Sequence, residues 1–315
     1  MSEEKPILPF IIGPTATGKT RLAALVAAEI DAEILCADSR QVYRKMNLGT
    51  GKDYDDYIVD GQQVPYHLMD IADAGEKFNL FKFYDAFQTA YKDVVNRGKQ
   101  PLVCGGTGMY VEAIIKDYNM HKVPEDTAFR QACELRDFDD LVEELKTYKT
   151  LHNTTDIDSK KRVIRALEIA RYEATHPAEK QEHTCPYSPL TIGVMVSRDE
   201  RRKRIAQRFQ KRLSEGMTSE VEQLLKDGVP AETLIYYGLE YKFLTLYVTG
   251  QISKSEMEEQ LLTAICQFAK RQMTWFRGME RRGIHIQWID GEQPMEVRKE
   301  AVLQILRQHS GFKRN

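Results

Sequence analysis

The octapeptide Gly13-Pro14-Thr15-Ala16-Thr17-Gly18-Lys19-Thr20 constrains this chain more tightly than any other stretch of it. It satisfies the pattern G-x-x-x-x-G-K-[ST], and its surroundings suit that pattern. The apolar run Ile7–Ile12 reads as a strand before it, and Thr20–Ile30 reads as a helix after it, with Leu22, Leu25, Val26 and Ile30 on one face. A strand turning sharply into a helix aims a row of backbone N–H groups, and the positive end of the helix, at one spot. The expected ligand is a di- or triphosphate, with Lys19 neutralising its oxygens and the Thr20 hydroxyl ligating Mg²⁺. A glycine-rich turn with no ligand is the bland alternative. The loop reports phosphate binding and leaves the reaction open, because kinases, nucleotidases and group transferases all use it.

The rest of the chain alternates short β-rich runs with helical stretches, the pattern of an α/β protein with a parallel sheet flanked by helices. Further strands are expected at Glu33–Ala37, Pro101–Cys104, Leu190–Val196 and His285–Ile289, and a helix at Leu80–Asn96 with Phe83, Phe87, Tyr91 and Val94 as its stripe. In such a sheet the carboxyl ends of the strands face the ligand crevice, so Asp38, just after the second strand, should lie near the phosphate loop. A carboxylate there can hold a metal or take a proton from an incoming nucleophile; a plain turn or capping role is the alternative. Asp38 is the one strong acidic candidate, with no Arg-rich lid of the nucleotide-kinase kind beside it. Gly105-Gly106-Thr107-Gly108 ends the third strand and suggests close approach of backbone to a ligand, although an ordinary turn would look the same.

The segment 121–188 differs. It carries helical charge patterning, with Leu141, Leu145 and Tyr148 at suitable spacing, then Ser159–Tyr172 with Val163, Leu167 and Ala170. A Pro/His/Thr-rich stretch, Thr175–Pro189, leads back to strand-like sequence, and Gly311–Asn315 reads as a frayed tail. The expected organisation is a first core part over 1–120, an all-helical insertion over 121–188 and a second core part with C-terminal helices over 189–315.

Forty-five Lys+Arg against 47 Asp+Glu give a formal charge of −2, so no global basic coat exists and any contact with phosphate backbones must come from a local patch. Two patches are available: Arg198–Arg212, with eight basic residues against two acids, and Lys270–Arg282. Solvated helix faces are their ordinary use. No apolar run approaches the ~20 residues of a membrane span, the acidic N-terminus is no signal peptide, and the five cysteines contain no C-x-x-C pair. The expected location is the cytoplasm. Trp275 and Phe276 at helical spacing read as core, and the seven histidines are scattered without a metal or catalytic pattern.

An ordered set of further motifs resembles the tRNA dimethylallyltransferases, or tRNA isopentenyltransferases. It comprises the phosphate loop at 13–20, Asp-Ser-Arg-Gln-Val-Tyr at 38–43, Gly-Thr-Gly-Lys at 49–52, Tyr-His-Leu-Met-Asp at 66–70 and Gly-Gly-Thr-Gly-Met-Tyr at 105–110. Later come Arg-Val-Ile-Arg-Ala-Leu-Glu at 162–168, Arg-Ile-Ala-Gln-Arg-Phe at 204–209 and Ala-Lys-Arg-Gln-Met-Thr-Trp-Phe-Arg at 269–277. The resemblance implies a P-loop NTPase-like core, a helical insertion that grips the anticodon stem-loop, and transfer of the dimethylallyl group of dimethylallyl diphosphate to N6 of the adenosine 3′ of the anticodon. On the matching positions it implies that Gly13–Thr20 bind the diphosphate, that Lys19, Thr20 and Arg208 stabilise its charge with Mg²⁺, and that Asp38 accepts the N6 proton. Asp38, Ser39, Arg40, Gln41, Thr107, Arg130, Lys161, Arg162, Arg165, Lys270 and Arg271 become tRNA contacts, with the adenine extruded from its stack. A monomer is expected.

Three segments depart from the family pattern. Ile265-Cys266-Gln267 stands for Thr-Arg-Gln, Thr155–Lys161 replaces a His-Pro-Asn-Asp run, and Gly238-Leu239-Glu240-Tyr241-Lys242 stands for Gly-Tyr-Lys. All three fall in parts associated with tRNA, and no C-terminal Cys/His zinc module follows. The competing readings are an isopentenyltransferase acting on free AMP or ATP, a P-loop small-molecule kinase, and a non-catalytic RNA-binding relative.

Overall fold

The computed structural model describes residues 5–118, 123–150, 157–176 and 185–309. The chain divides into two compact units, one of Met1–Asp117 with Cys185–Asn315, the other of Tyr118–Thr184. The second unit begins and ends a few residues before the 121–188 segment read from the sequence. The reason is local: Tyr187 is buried and donates its hydroxyl to the Ile114 carbonyl at 2.9 Å, and Ser188 N–H donates to Pro6 O at 2.9 Å, so chain from Cys185 onward already belongs to the core. The 177–184 part of the Thr175–Pro189 stretch and the Gly311–Asn315 tail lie outside the described residues.

In the first unit, β1 (Ile7–Ile12), α1 (Lys19–Glu29) and β2 (Ala32–Ala37) open the chain. After a single 3₁₀ turn at Tyr54–Tyr57 come the two-residue strands β3 (Ile58–Val59), β4 (Gln62–Gln63) and β5 (Tyr66–His67). Then α2 (Leu80–Asn96), β6 (Gln100–Gly105) and α3 (Gly108–Ile115) follow. The second unit holds α4 (Thr127–Glu134), α5 (Phe138–Tyr148) and α6 (Lys160–Thr175). The first unit resumes with β7 (Ser188–Met195), α7 (Arg198–Ser214), α8 (Met217–Lys226), α9 (Ala231–Tyr237) and α10 (Leu239–Val248). It ends with α11 (Lys254–Arg281), β8 (Ile286–Asp290) and α12 (Met295–Arg307).

Six strands form one sheet in the order β5-β2-β6-β1-β7-β8, with every neighbouring pair parallel. The fold is therefore the P-loop-like α/β class with helices packed on a parallel sheet. The strands expected from the sequence are present, each within a residue or two of its reading. β5 was not legible, because two residues carry no periodicity; its pairing with β2 at Ile34↔Tyr66 and Leu35↔His67 defines it. Register brings Ile12 and Ala37 level with Gly105, so β1, β2 and β6 end together and deliver three loops to one edge. A Cβ at Gly105 would run into the backbone of Ala37, which is why that position carries glycine.

Two apolar clusters build this unit. One packs α1, α2 and α3 on the sheet through Leu22, Val26, Phe83, Phe87, Tyr91, Val94 and Val111, with Phe276 of α11 buried in it and Trp275 against it. The other joins α7, α8, α10 and α11 through Ile205, Phe209, Val221, Leu244 and Leu261. Two motifs turn out to brace the loop after β2. Lys52 is buried, donating to Asp70 Oδ1 at 2.6 Å and to Asn47 Oδ1 at 3.3 Å, while the Glu220 carboxylate accepts from the N–H groups of Asn47, Leu48 and Gly49 at 2.8 to 3.0 Å. The second unit has its own core of Cys133, Leu141, Val142, Leu145, Val163 and Leu167. Tyr148, expected in the α5 stripe, is 42% exposed, because the helix turns Val142 inward instead.

Strand β2 is buried along its whole length, including Glu33. Its carboxylate accepts from both terminal nitrogens of Arg97, the Nη2 bond being 2.9 Å, and meets His67 Nε2 at 2.6 Å. Burial pushes the Glu33 carboxyl up, but the hydrogen bonds from Arg97 and His67 outweigh it and hold the group below its ordinary range. A depressed carboxylate contributes stability above its unfolded-state pKa and loses it as pH falls through the folded value. Glu33→Gln should therefore cost about 1–3 kcal/mol at pH 7. Its unfolding free energy, from urea titrations, should fall less steeply than that of the parent below the glutamate range; parallel pH profiles would show that Glu33 carries no linked charge.

Candidate active site

The loop after β1 wraps with two left-handed residues, Ala16 at φ 65° and Gly18 at φ 75°, the arrangement that turns successive N–H groups toward one concavity. Buried Thr17 fixes the wrap by donating Oγ1 to Pro14 O at 3.0 Å. Gly13 runs so close to β7 that a Cβ would sit 2.7 Å from Val194 O. Lys19 opens α1 and folds back over the loop, its Nζ 3.4 Å from Pro14 O. Gln272, nearly buried on α11, joins this loop to the other glycine turn: its Oε1 accepts from Thr15 N–H at 2.9 Å and its Nε2 donates to Gly106 O at 2.9 Å.

A cavity of about 280 Å³ opens over the loop. Its walls are Thr15, Ala16, Gly18, Lys19 and Thr20, then Asp38, Arg40 and Gln41 beyond β2, Asp53 and Asp56, Arg204, Arg208 and Arg212 of α7, and Glu240 and Gln272. Gly13, Pro14 and Thr17 stand behind as buried scaffold. Arg208 donates Nη2 to the Thr15 hydroxyl. Burial lowers the Lys19 ammonium, with Cys104 and Asp38 partly restoring it. Burial, then the neighbouring Arg212, pulls the Arg208 guanidinium down to about 10. Cations that burial holds below their ordinary range are ones that an incoming anion relieves.

Asp38 follows β2 directly. Its Oδ1 accepts from Arg40 N–H at 3.0 Å, an Asx turn that fixes the carboxylate, and its other oxygen makes no hydrogen bond among the described residues. Thr107 couples this turn to the Gly105–Gly108 segment: its Oγ1 accepts from Ser39 N–H at 2.9 Å and donates to Ser39 Oγ at 3.2 Å. Gln41 donates Nε2 to Gly51 O at 3.0 Å. Arg40 pairs with Glu240 and lies over the Phe268 ring, 5.1 Å from its centre. Arg212 grips Asp53 through both carboxylate oxygens, at 3.0 and 2.9 Å. For a divalent ion the cavity offers the Thr20 hydroxyl with the carboxylates of Asp38, Asp53 and Asp56 on the same walls. Among the described residues no three His, Cys, Asp or Glu side chains converge tightly enough to form a closed cage. Sparse hard-oxygen ligation, completed by phosphate, is the habit of Mg²⁺.

The other residues singled out in the sequence lie apart from this cavity. Lys270 lines a separate groove of about 980 Å³ with Arg198, Arg201, Arg202, Lys203 and Arg277, so the two basic patches form one cationic trough between α7 and α11. Arg271 sits 5.9 Å from the Phe268 ring centre. In the second unit, Arg130 and Arg165 both bind Glu168: Arg130 donates at 3.0 and 2.7 Å, and Arg165 also donates to Val123 O at 3.1 Å. Lys161 and Arg162 are exposed on α6, Arg162 paired with Asp158. Sequence reading missed Gln272, Arg212, Asp53, Asp56, Phe268 and Glu240. Gln272 sat inside a quoted motif, Glu240 inside a departure and Arg212 at the end of a basic patch, so signals existed for all three; for the rest, only the fold assembles them.

Comparisons with known proteins converge on one family. The family model described as IPP transferase matches residues 41–279, and that described as isopentenyl transferase matches residues 6–65. The chain is 52% identical over 303 residues to the tRNA dimethylallyltransferase 2 of Phocaeicola vulgatus, covering 96% of this chain and 98% of that one. It is 51% identical over 296 residues to the tRNA dimethylallyltransferase 1 of Parabacteroides distasonis, covering 94% and 96%. Among solved structures, the full-length tRNA isopentenylpyrophosphate transferase of Bacillus halodurans superposes with a TM-score of 0.68 at 28% identity, over 97% of this chain and 100% of that one. A eukaryotic dimethylallyltransferase acting on tRNA shares the fold at a TM-score of 0.72 and 22% identity, over 91% and 74%.

Two outcomes follow from this geometry. Glu240→Ala leaves the Arg40 guanidinium buried without its counter-charge, and should cost about 3–5 kcal/mol of unfolding free energy; an equilibrium urea titration within 1 kcal/mol of the parent (roughly the worth of an exposed pair) would show the pair to be solvated. Inorganic diphosphate affinity, measured calorimetrically, should fall as pH rises toward 10, because Lys19 and Arg208 bind as cations and lose protons from lowered starting points. Constant affinity from neutral pH to 10 would remove both from the anion site.

Proposed function

This chain belongs to the IPP transferase family, and we infer that it is a tRNA dimethylallyltransferase. It moves the dimethylallyl group of dimethylallyl diphosphate to N6 of an adenosine in tRNA, the one 3′ of the anticodon. The observation that carries the reading is the convergence of the phosphate loop, Arg208 and Asp38 on a single cavity in a chain that spans nearly the full length of its tRNA-modifying relatives.

The chemistry follows from the residues. The allylic C–O bond breaks and its electron pair leaves on the diphosphate, while the N6 lone pair forms the new C–N bond. Negative charge grows on the leaving oxygen, and fixed donors aimed at it lower the barrier without having to reorganise. Gly13–Thr20, Lys19 and Arg208 are those donors, so here the loop holds a leaving group. Thr20, with Asp56 across the cavity, would hold Mg²⁺, which supplies further charge neutralisation to the diphosphate and leaves Asp38 for the proton. N6 of adenine is a weak nucleophile, and the Asp38 oxygen without a hydrogen bond takes its proton as attack proceeds. Ser39, Arg40 and Gln41 line the approach for the extruded base, tied to Thr107. The trough of Lys270, Arg277 and the α7 cations suits the phosphate backbone, and Lys161 and Arg162 offer exposed cations on the helical unit. One tRNA per monomer and a cytoplasmic location complete the reading; among the described residues no helix is long and apolar enough to cross a membrane.

Free AMP as acceptor is the second reading, since the phosphate loop and Asp38 would serve either acceptor. Labelled dimethylallyl diphosphate with Mg²⁺ should place label on an unmodified tRNA transcript and not on AMP; label on AMP would reverse the choice. Asp38→Ala should bind tRNA normally and slow transfer by about 10²–10⁴-fold, the range of general-base catalysis. Undiminished transfer by that variant would remove Asp38 from the proton path.

A further inference from the structure

Arg298, on the first turns of α12, is 9% exposed. Its Nη1 donates to the Thr17 carbonyl at 3.2 Å, whereas its buried Nε has no hydrogen-bond partner. No carboxylate among the described residues lies within ion-pair range of it. Asp290 is the acid that acts on it through space, but its oxygens are committed to the turn before α12, accepting from Glu292 N–H at 2.8 Å and Gln293 Nε2 at 3.0 Å. The other charged neighbour is a second cation, Arg204, itself paired with Glu200; burial, then Arg204, pushes the Arg298 guanidinium down. A buried, unpaired guanidinium works against folding, and an apolar side chain of similar shape would serve the fold better.

Its position says where the missing counter-charge belongs. The Thr17 carbonyl and the Gly18 N–H are the two ends of one peptide unit. Gly18 lines the cavity over the phosphate loop, and a Cβ built on it would lie 3.3 Å from Arg298 Nη1, so the guanidinium packs directly behind that peptide. Donation to the carbonyl polarises the unit and makes its N–H a stronger donor. The charge also acts on the cavity across the Thr17–Gly18 peptide, a path with less screening than bulk water.

We propose that Arg298 is a positioning residue for the donor diphosphate, a buried charge left uncompensated by the protein and compensated by the anion on the other side of the Thr17–Gly18 peptide. This rests on the reading of the loop as the diphosphate site. Arg298 touches no reacting atom, and it acts through the loop it supports. Its stretch, α12, lies outside the residues matched by the family models.

The test uses the full-length enzyme and inorganic diphosphate, with binding read by calorimetry and unfolding by thermal melts. Arg298→Met should bind diphosphate about tenfold more weakly, the scale of one partly screened charge, while its ligand-free Tm stays level or rises. The KM for tRNA should be unchanged, and Arg298→Lys should bind diphosphate within about threefold of the parent. Arg298→Gln, which keeps a donor without the charge, provides the reading should the methionine variant fail to fold. Parent-like diphosphate affinity in the neutral variants overturns the inference, whatever their stability. So does a Tm loss accompanied by equal losses for diphosphate and tRNA, the mark of a merely structural prop. A parent enzyme that binds no diphosphate overturns the donor-site reading itself, and this inference with it.

Discussion

Three loops meet at the carboxyl edge of this sheet, and their backbone groups have no strand to pair with. That is the constraint on which the site depends, because an unpaired buried amide or carbonyl costs as much as the hydrogen bonds that hold a strand. One side chain resolves much of it. Gln272 accepts from Thr15 N–H and donates to Gly106 O, so both glycine turns take their positions from α11. Thr107 performs the same service for Ser39, and Glu220 for the backbone from Asn47 to Gly49. Side chains distant in sequence thus tie the loops of this edge to one another and to the helices around them.

The cavity is also crowded with charge of both signs. Lys19, Arg40, Arg204, Arg208 and Arg212 face Asp38, Asp53, Asp56 and Glu240 in a small space. Pairing sorts them. Asp53 takes Arg212, Glu240 takes Arg40 and Glu200 takes Arg204, which leaves Lys19 and Arg208 as the cations that border the loop without a carboxylate partner among the described residues. The division separates a side suited to an anionic leaving group from a side suited to a neutral base. It also gives the Gly238–Lys242 departure a physical meaning: the chain turns through two positive-φ residues, Gly238 and Leu239, and sets Glu240 into the wall.

Much of the fold was readable in the sequence because its main strands are continuous apolar runs, as buried parallel strands must be. β5 was not, since its two residues become a strand only through β2. Glu33 in an otherwise apolar strand looked like an end residue, yet it is buried, because Arg97 and His67 arrive from elsewhere to satisfy it. Arg130 and Arg165, which read as RNA contacts through the family resemblance, are partly exposed and also bind Glu168 inside the helical unit. A motif reports residue type and spacing, and the partner that a charged side chain chooses is a tertiary fact.

The sequence by itself determined the strand–loop–helix at Gly13–Thr20, the carboxylate after β2 and the order of the family's motifs. Each of these is a local statement: glycine for left-handed backbone, a hydroxyl beside a lysine, apolar runs of strand length. Tertiary structure alone decided which helix closes the loop, which arginines keep a free charge and which lose it to a carboxylate, and that Arg298, some 280 residues from Thr17, stands behind its peptide. Electrostatic pairing and burial depend on distances through space, and residues far apart along the chain acquire those distances only when the sheet and its helices have packed.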